Sequence, residues 1–173
     1  MKRIILLTLM LLSACTFGFD PNTQPLPSNN GGQPSGGGEE VGIVTDVIDG
    51  DTIDVNINGQ EYRIRYVGMN TPERDEVCYS EATQANAAMV NGQQIRLVKD
   101  QSETDRFDRL LRYVYVGNTF VNAHLVSQGY AEAALYEPDD AQYEYFRGLE
   151  QQARSAHIGC HPSGIFNDGS DTR

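Results

Sequence analysis

Apolar and polar residues alternate through Ile53, Asp54, Val55, Asn56 and Ile57, which predicts a strand with one wet face. A second alternation follows over residues 61–66. Tyr62, Ile64 and Tyr66 point one way, and Arg63 and Arg65 the other. Residues 43–48, ahead of both, read as a strand. Asp49-Gly50 and Asn58-Gly59 are dipeptides that favour two-residue hairpin turns, so the three strands form a meander. Pro72 stops the third strand's ladder and fixes the chain direction. Asn70-Thr71-Pro72-Glu73 therefore reads as a stiff loop just beyond two arginines on one strand face.

Further along, the period changes. Ala82, Ala85 and Met89 share a helical face over residues 80–89, with Ser80 as N-cap and Gly92 as stop. Residues 95–98 form a short strand, 99–109 a polar loop, and 110–116 a strand closed by Gly117-Asn118. Thr119 caps a helix carrying Val121, Leu125 and Val126 that ends at Gly129. After a short apolar segment over 130–135, Pro138-Asp139-Asp140 opens a last helix, with Phe146, Leu149, Ala153 and Ala156 at helical spacing. Five or more short strands and three helices, opening on a meander, predict an α+β fold that is mainly a small closed β-barrel rather than a parallel sheet.

The first forty residues carry no such periodicity. Met1-Lys2-Arg3 followed by an apolar run from Ile4 to Leu12 has the form of a signal peptide, too short to span a membrane as a helix. Leu12-Ser13-Ala14-Cys15 resembles the bacterial lipobox. That resemblance implies a signal peptide over 1–14, cleavage before Cys15, and a membrane anchor through diacylglycerol on its sulfur. The alternative is an ordinary secretory signal with an incidental cysteine. Residues 15–40, rich in Pro, Gly, Asn, Ser and Gln, read as a lipidated flexible tether. The domain then runs over 41–161, with a disordered C-terminal tail over 162–173. It is long enough for one core and is read as a monomer outside the cytoplasm.

Charge narrows the function. The chain has 13 basic and 24 acidic residues, net −11; removing Lys2 and Arg3 with a leader leaves 11 against 24, or −13. Such a field disfavours polyanions and argues against a passive nucleic-acid coat, but not against an enzyme that handles one phosphate locally. With Cys15 lipidated, Cys78 and Cys160 remain, and an exported protein with two cysteines is expected to bridge them, free thiols being the alternative. There is no Ser-His-Asp arrangement and no zinc spacing.

Three separated motifs then agree: Asp49-Gly50-Asp51-Thr52; Arg65 through Asn70-Thr71-Pro72-Glu73; and Asp105-Arg106-Phe107-Asp108-Arg109. In order and spacing, over about residues 42–160, they resemble the thermonuclease family, the staphylococcal nuclease homologues. The resemblance implies an OB-fold five-stranded barrel with packed helices, and calcium-dependent endonuclease activity on DNA and RNA leaving 3′-phosphates. It makes Glu73 the general base and Arg65 and Arg109 the phosphate clamp, a role that suits planar guanidinium groups. Calcium needs several hard oxygens, which Asp51, the Asn70 side chain and the Thr71 carbonyl offer. Phe107 and Tyr136 fall at substrate positions.

Two departures stand out. The family commonly has an aspartate at the place of Asn70, so weaker metal binding is expected. Phe107 and Ala134 stand where well-known members have tyrosines, so Phe107 stacks on a base but donates no hydrogen bond. Read singly, the same residues have plainer roles: turn formers for Asp49 and Asp51, a solvated loop residue for Glu73, surface ion pairs for Arg65 and Arg109. Arg63, Arg106 and Arg112 are assigned to such ion pairs. The alternative function is a non-catalytic OB-fold binding module at the cell surface.

Overall fold

A computed structural model describes residues 38–167 and 169. The leader, Cys15 and the tether up to residue 37 lie outside the described residues.

The meander forms as expected. β1 (Glu39–Val47), β2 (Thr52–Ile57) and β3 (Gln60–Tyr66) pair antiparallel in chain order. Asn58 and Gly59 both take positive φ, 53° and 90°, as a two-residue turn matched to strand twist requires. The first connection is longer than the Asp49-Gly50 dipeptide suggests. It spans residues 48–51, and the amides of Ile48 and Asp49 both donate to the Thr52 carbonyl.

After β3 come β4 (Met69–Asn70), α1 (Tyr79–Val90), β5 (Gln94–Val98) and β6 (Leu110–Val116). Next are β7 (Thr119–Phe120), α2 (Val121–Ser127), β8 (Glu132–Ala133) and α3 (Tyr143–Ala156). The main sheet has the order β3-β2-β1-β5-β6-β7, and a parallel β3–β6 pairing closes its first five strands into a mixed barrel. This is the five-stranded OB-type barrel with three helices. Its interior is Val44, Ile53, Val55, Ile64, Tyr66, Ile95, Leu97 and Val114, the inward half of each alternation. α3 seals one side by burying Phe146.

Several boundaries differ from expectation for physical reasons. β1 begins two residues before Val41 because arginines hold the end of the tether. Arg112, buried in the wall, donates from Nε to Glu40 at 2.7 Å and from Nη2 to Glu103; Arg96 pairs with Glu39 at 3.0 Å. α1 starts at Tyr79, with Cys78 in the cap position, and Ser80 lies inside the helix accepting from Gln84. Thr119 does not cap α2, because Thr119 and Phe120 pair with Val116 and Tyr115. α3 begins at Tyr143, not near Pro138. The Asp139 carboxylate accepts the amides of Gln101 and Ser102 and so ties two loops instead of capping a helix. Ordered packing also passes residue 161. A 3-10 turn spans His161–Ser163, Phe166 is buried, and Asn167 accepts from Arg154.

Candidate active site

The connection into β2 is the rigid mount of the site. Gly50 lies so close to Thr71 that a Cβ there would fall 2.6 Å from the threonine hydroxyl and 2.7 Å from its two carbons. Beneath it, Asn86 of α1 donates to the Asp49 carbonyl at 2.9 Å and accepts from the buried Tyr66 hydroxyl at 2.9 Å. Asp49 in turn accepts the Asp51 amide at 3.0 Å. Asp51 is itself fixed on both oxygens. Oδ2 accepts from the amide and the hydroxyl of Thr71, each at 2.9 Å. Oδ1 accepts from Thr52 and lies 3.2 Å from Nε of Arg65.

Arg65 leaves the β3 face opposite to Ile64 and Tyr66, as the alternation requires. Its Nη1 donates to the carbonyls of Tyr66 (2.5 Å) and Met69 (2.9 Å), and its Nη2 donates to Oδ1 of Asn70 at 2.5 Å. The same Oδ1 accepts from the Tyr136 hydroxyl at 3.1 Å, while Nδ2 of Asn70 is buried without a partner among the described residues. Asn70 is not in a loop. It is in β4, opposite Glu132 of β8.

Glu73 sits on the exposed turn after Pro72. Its amide donates to the Glu76 carboxylate at 2.7 Å and its carbonyl accepts the Glu76 amide at 2.8 Å, which fixes the backbone that carries it. Five residues on, Cys78 is joined to Cys160 by a disulfide. Arg109 enters from the far wall. Asp105 accepts from its Nε and Nη2, both at 2.6 Å, and from the backbone amides of Phe107 and Arg109. Burial pushes the Asp105 carboxyl up; these hydrogen bonds and the guanidinium outweigh that and hold it below its ordinary value.

One open cleft of about 840 Å³ is lined by Asp49, Asp51, Arg65, Glu73, Asp105, Arg106, Phe107, Arg109 and Tyr136 among others. The structure thus brings together, around one cavity, residues from the three motif segments and, from a fourth, Tyr136. Asn70 and Thr71 stand behind this lining. Phe107 is 63 % exposed, with the guanidiniums of Arg106 and Arg109 4.7 and 5.4 Å from its ring centre. Arg106 is therefore a wall of the cleft and not the plain surface ion pair expected of it. Arg63, paired with Asp54, is the surface ion pair expected; Arg112 pairs with Glu40 and Glu103 but is 2 % exposed, so its ion pairs are rooted in the barrel wall and not on the surface.

The donor set fits a hard cation in part. Asp49 and Asp51 face the same cleft, and burial first, the Asp51 charge second, push the Asp49 carboxyl up to about 6. A carboxylate pair that repels itself in a partly dry pocket suits a divalent ion. Among the described residues no three acidic, His or Cys side chains are grouped to hold a metal. A cation here would rest on the pair plus backbone, water and phosphate oxygens. Sequence reading underrated Asp49 and Arg106 and passed over Asn86. It also missed the Asp105 clamp, which forms across a turn over residues 105–109 where no periodicity marks the pair.

The family model described as staphylococcal nuclease homologue matches residues 63–160. The chain is similar to the thermonuclease of Staphylococcus hyicus, 34% identical over 128 residues, 70% of this chain and 74% of that protein. It is similar to endonuclease YncB of Bacillus subtilis (strain 168), 39% identical over 116 residues, 62% of this chain and 55% of that protein. The micrococcal nuclease of Shigella flexneri is 36% identical over 130 residues, 68% of this chain and 71% of that protein.

Proposed function

The chain belongs to the staphylococcal nuclease homologue family and is a phosphodiesterase of nucleic acids; from that premise we propose a calcium-dependent endonuclease working outside the cytoplasm from a lipid anchor on Cys15. The observation that carries the reading is the convergence of Asp51, Arg65, Glu73 and Arg109 on one cleft.

Glu73, exposed at the rim, takes a proton from the attacking water as its oxygen bonds to phosphorus. Arg65 and Arg109 donate to the non-bridging oxygens, and these bonds strengthen as negative charge grows on the phosphoryl group. The bond to the 5′ oxygen breaks, the departing oxygen takes a proton from water to leave as a 5′-hydroxyl, and a 3′-phosphate remains. Asp51, with Asp49 beside it and the Thr71 carbonyl, would hold calcium, which when bound supplies positive charge at a phosphate oxygen. Phe107 offers a ring on which a base of either DNA or RNA stacks, and lacks a hydroxyl to discriminate between bases. The net charge, 11 basic against 24 acidic residues or −13 once Lys2 and Arg3 leave with the leader, leaves binding to these local cations.

The test is cleavage of single- and double-stranded DNA and of RNA by the full chain, with calcium or with a chelator. Calcium-dependent cleavage is expected, reduced by roughly 10³-fold or more in Glu73→Gln and in Arg65→Ala while the circular dichroism spectrum is unchanged. Cleavage that survives both substitutions would overturn the assignment. For the anchor, Cys15→Ser should release the protein from membranes; unchanged partitioning would remove the lipid from the reading.

A further inference from the structure

The side-chain oxygen of Asn70 is engaged on both sides and points away from a metal role. Oδ1 of an amide has two lone-pair directions. One accepts from Nη2 of Arg65 at 2.5 Å and the other from the Tyr136 hydroxyl at 3.1 Å. Nδ2, the end of the amide left over, is a donor and repels a cation. Asn70 is also held by its backbone, in β4 against β8, where it is 1 % exposed.

Deepening the proposed function, on which it rests, we propose that Asn70 is a positioning residue for Arg65 and not a calcium ligand, with the Tyr136 hydroxyl locking its amide. The guanidinium is then gripped on three sides. Asp51 faces Nε, the Tyr66 and Met69 carbonyls take Nη1, and the Asn70 amide takes Nη2. A carboxylate at position 70 would place two anions on one arginine, and the neutral amide orients the arginine without quenching its charge toward phosphate. Tyr136 lines the cleft, so the lock lies where substrate passes, 66 residues away in sequence from the amide it fixes.

The experiment uses the full chain and its Asn70→Ala, Tyr136→Phe and double variants. The readouts are calorimetric calcium titration without nucleic acid, the ¹⁵N NMR signals of the Arg65 guanidinium, and kcat and KM on an oligonucleotide. In the parent chain, rotation about the bond to Nη2 of Arg65 should be slow. Asn70→Ala should free it and lower kcat about tenfold or more, with calcium affinity kept within about twofold. Tyr136→Phe should loosen the same rotation less and lower kcat by a few-fold, and the double variant should add little to Asn70→Ala, as expected for groups in one network. A calcium affinity about tenfold weaker in Asn70→Ala, or unchanged Nη2 rotation, would overturn the proposal. If the parent chain cleaves nothing, the nuclease reading fails by itself, and the NMR signals still decide whether Asn70 orients Arg65.

Discussion

Both Nε and Nη2 of Arg109 lie 2.6 Å from one oxygen, Oδ2, of Asp105. The other oxygen accepts the amides of Phe107 and Arg109, so one carboxylate shapes the loop and aims the guanidinium it carries. A side chain 28 % exposed with four rotatable bonds would otherwise spread over many rotamers. Asp105→Asn keeps the loop acceptor but loses the charge that orients Arg109. The expected result is a fall in kcat/KM of roughly 10–100-fold with calcium affinity unchanged, measured by oligonucleotide cleavage and calcium titration. Undiminished kcat/KM would show that Arg109 needs no such partner.

Gly50 gives a steric test of the mount. A methyl group there would meet Thr71 at 2.6–2.7 Å, and Thr71 holds Oδ2 of Asp51 through two hydrogen bonds. Gly50→Ala should cost about 1–3 kcal/mol in denaturant unfolding and lower cleavage as well, because the displaced threonine releases Asp51. Gly148, inside α3, has nothing within 4 Å of its virtual Cβ. Gly148→Ala should therefore stabilise by about 0.5–1 kcal/mol and leave cleavage alone. Equal effects of the two substitutions would contradict this account.

The barrel was legible in the sequence because strand alternation and the Asn58-Gly59 turn are local signals. Ile53, Val55 and Ile64 face inward as the period-two pattern requires. The failures have distant causes. Pro138-Asp139-Asp140 has the form of a helix start, but the Asp139 carboxylate is taken by amides 37 and 38 residues away. Thr119 has the form of a cap, but a two-residue hairpin partner claims it. β4 and β8 are too short to show any period, so Asn70 read as part of a loop. The site divides the same way. Asp51, Arg65, Glu73 and Arg109 could be named from three compact motifs, whereas the contacts that fix their neighbours, Tyr136 on the Asn70 amide and Asn86 on the Asp49 backbone carbonyl, join remote segments through single hydrogen bonds.

His161 sets a pH dependence away from the cleft. It packs edge-on against Phe166, and its Nε2 is buried without a partner among the described residues. Burial, then the Arg154 charge, push its pKa below 6.5; Glu150 acts in the opposite sense and does not offset them. The unfolded chain therefore takes up the proton first. Stability is fully present above pH 6.5 and is lost as pH falls from there toward the folded-state value. In His161→Phe this slope should vanish, so the difference in denaturation midpoint between the two proteins should change between pH 7.5 and pH 5. A constant difference would show that His161 stays in one protonation state.

The Cys78–Cys160 bond joins residues 82 apart, linking the start of α1 to the turn that follows α3. Closing so long a loop restricts the unfolded chain by roughly 4–5 kcal/mol in the chain-entropy model. The bond also ends the exposed turn that carries Glu73, five residues before Cys78. Two effects of reduction should therefore separate. Denaturation midpoints should drop in the reduced protein and in the Cys78→Ser, Cys160→Ser double variant. Cleavage measured well below those midpoints should fall only a few-fold, because the Glu73–Glu76 hydrogen bonds still hold the turn. Loss of cleavage with unchanged stability would mean that the bond acts on the turn alone. Loss of neither would mean that α1 and the C-terminal turn stay docked without it.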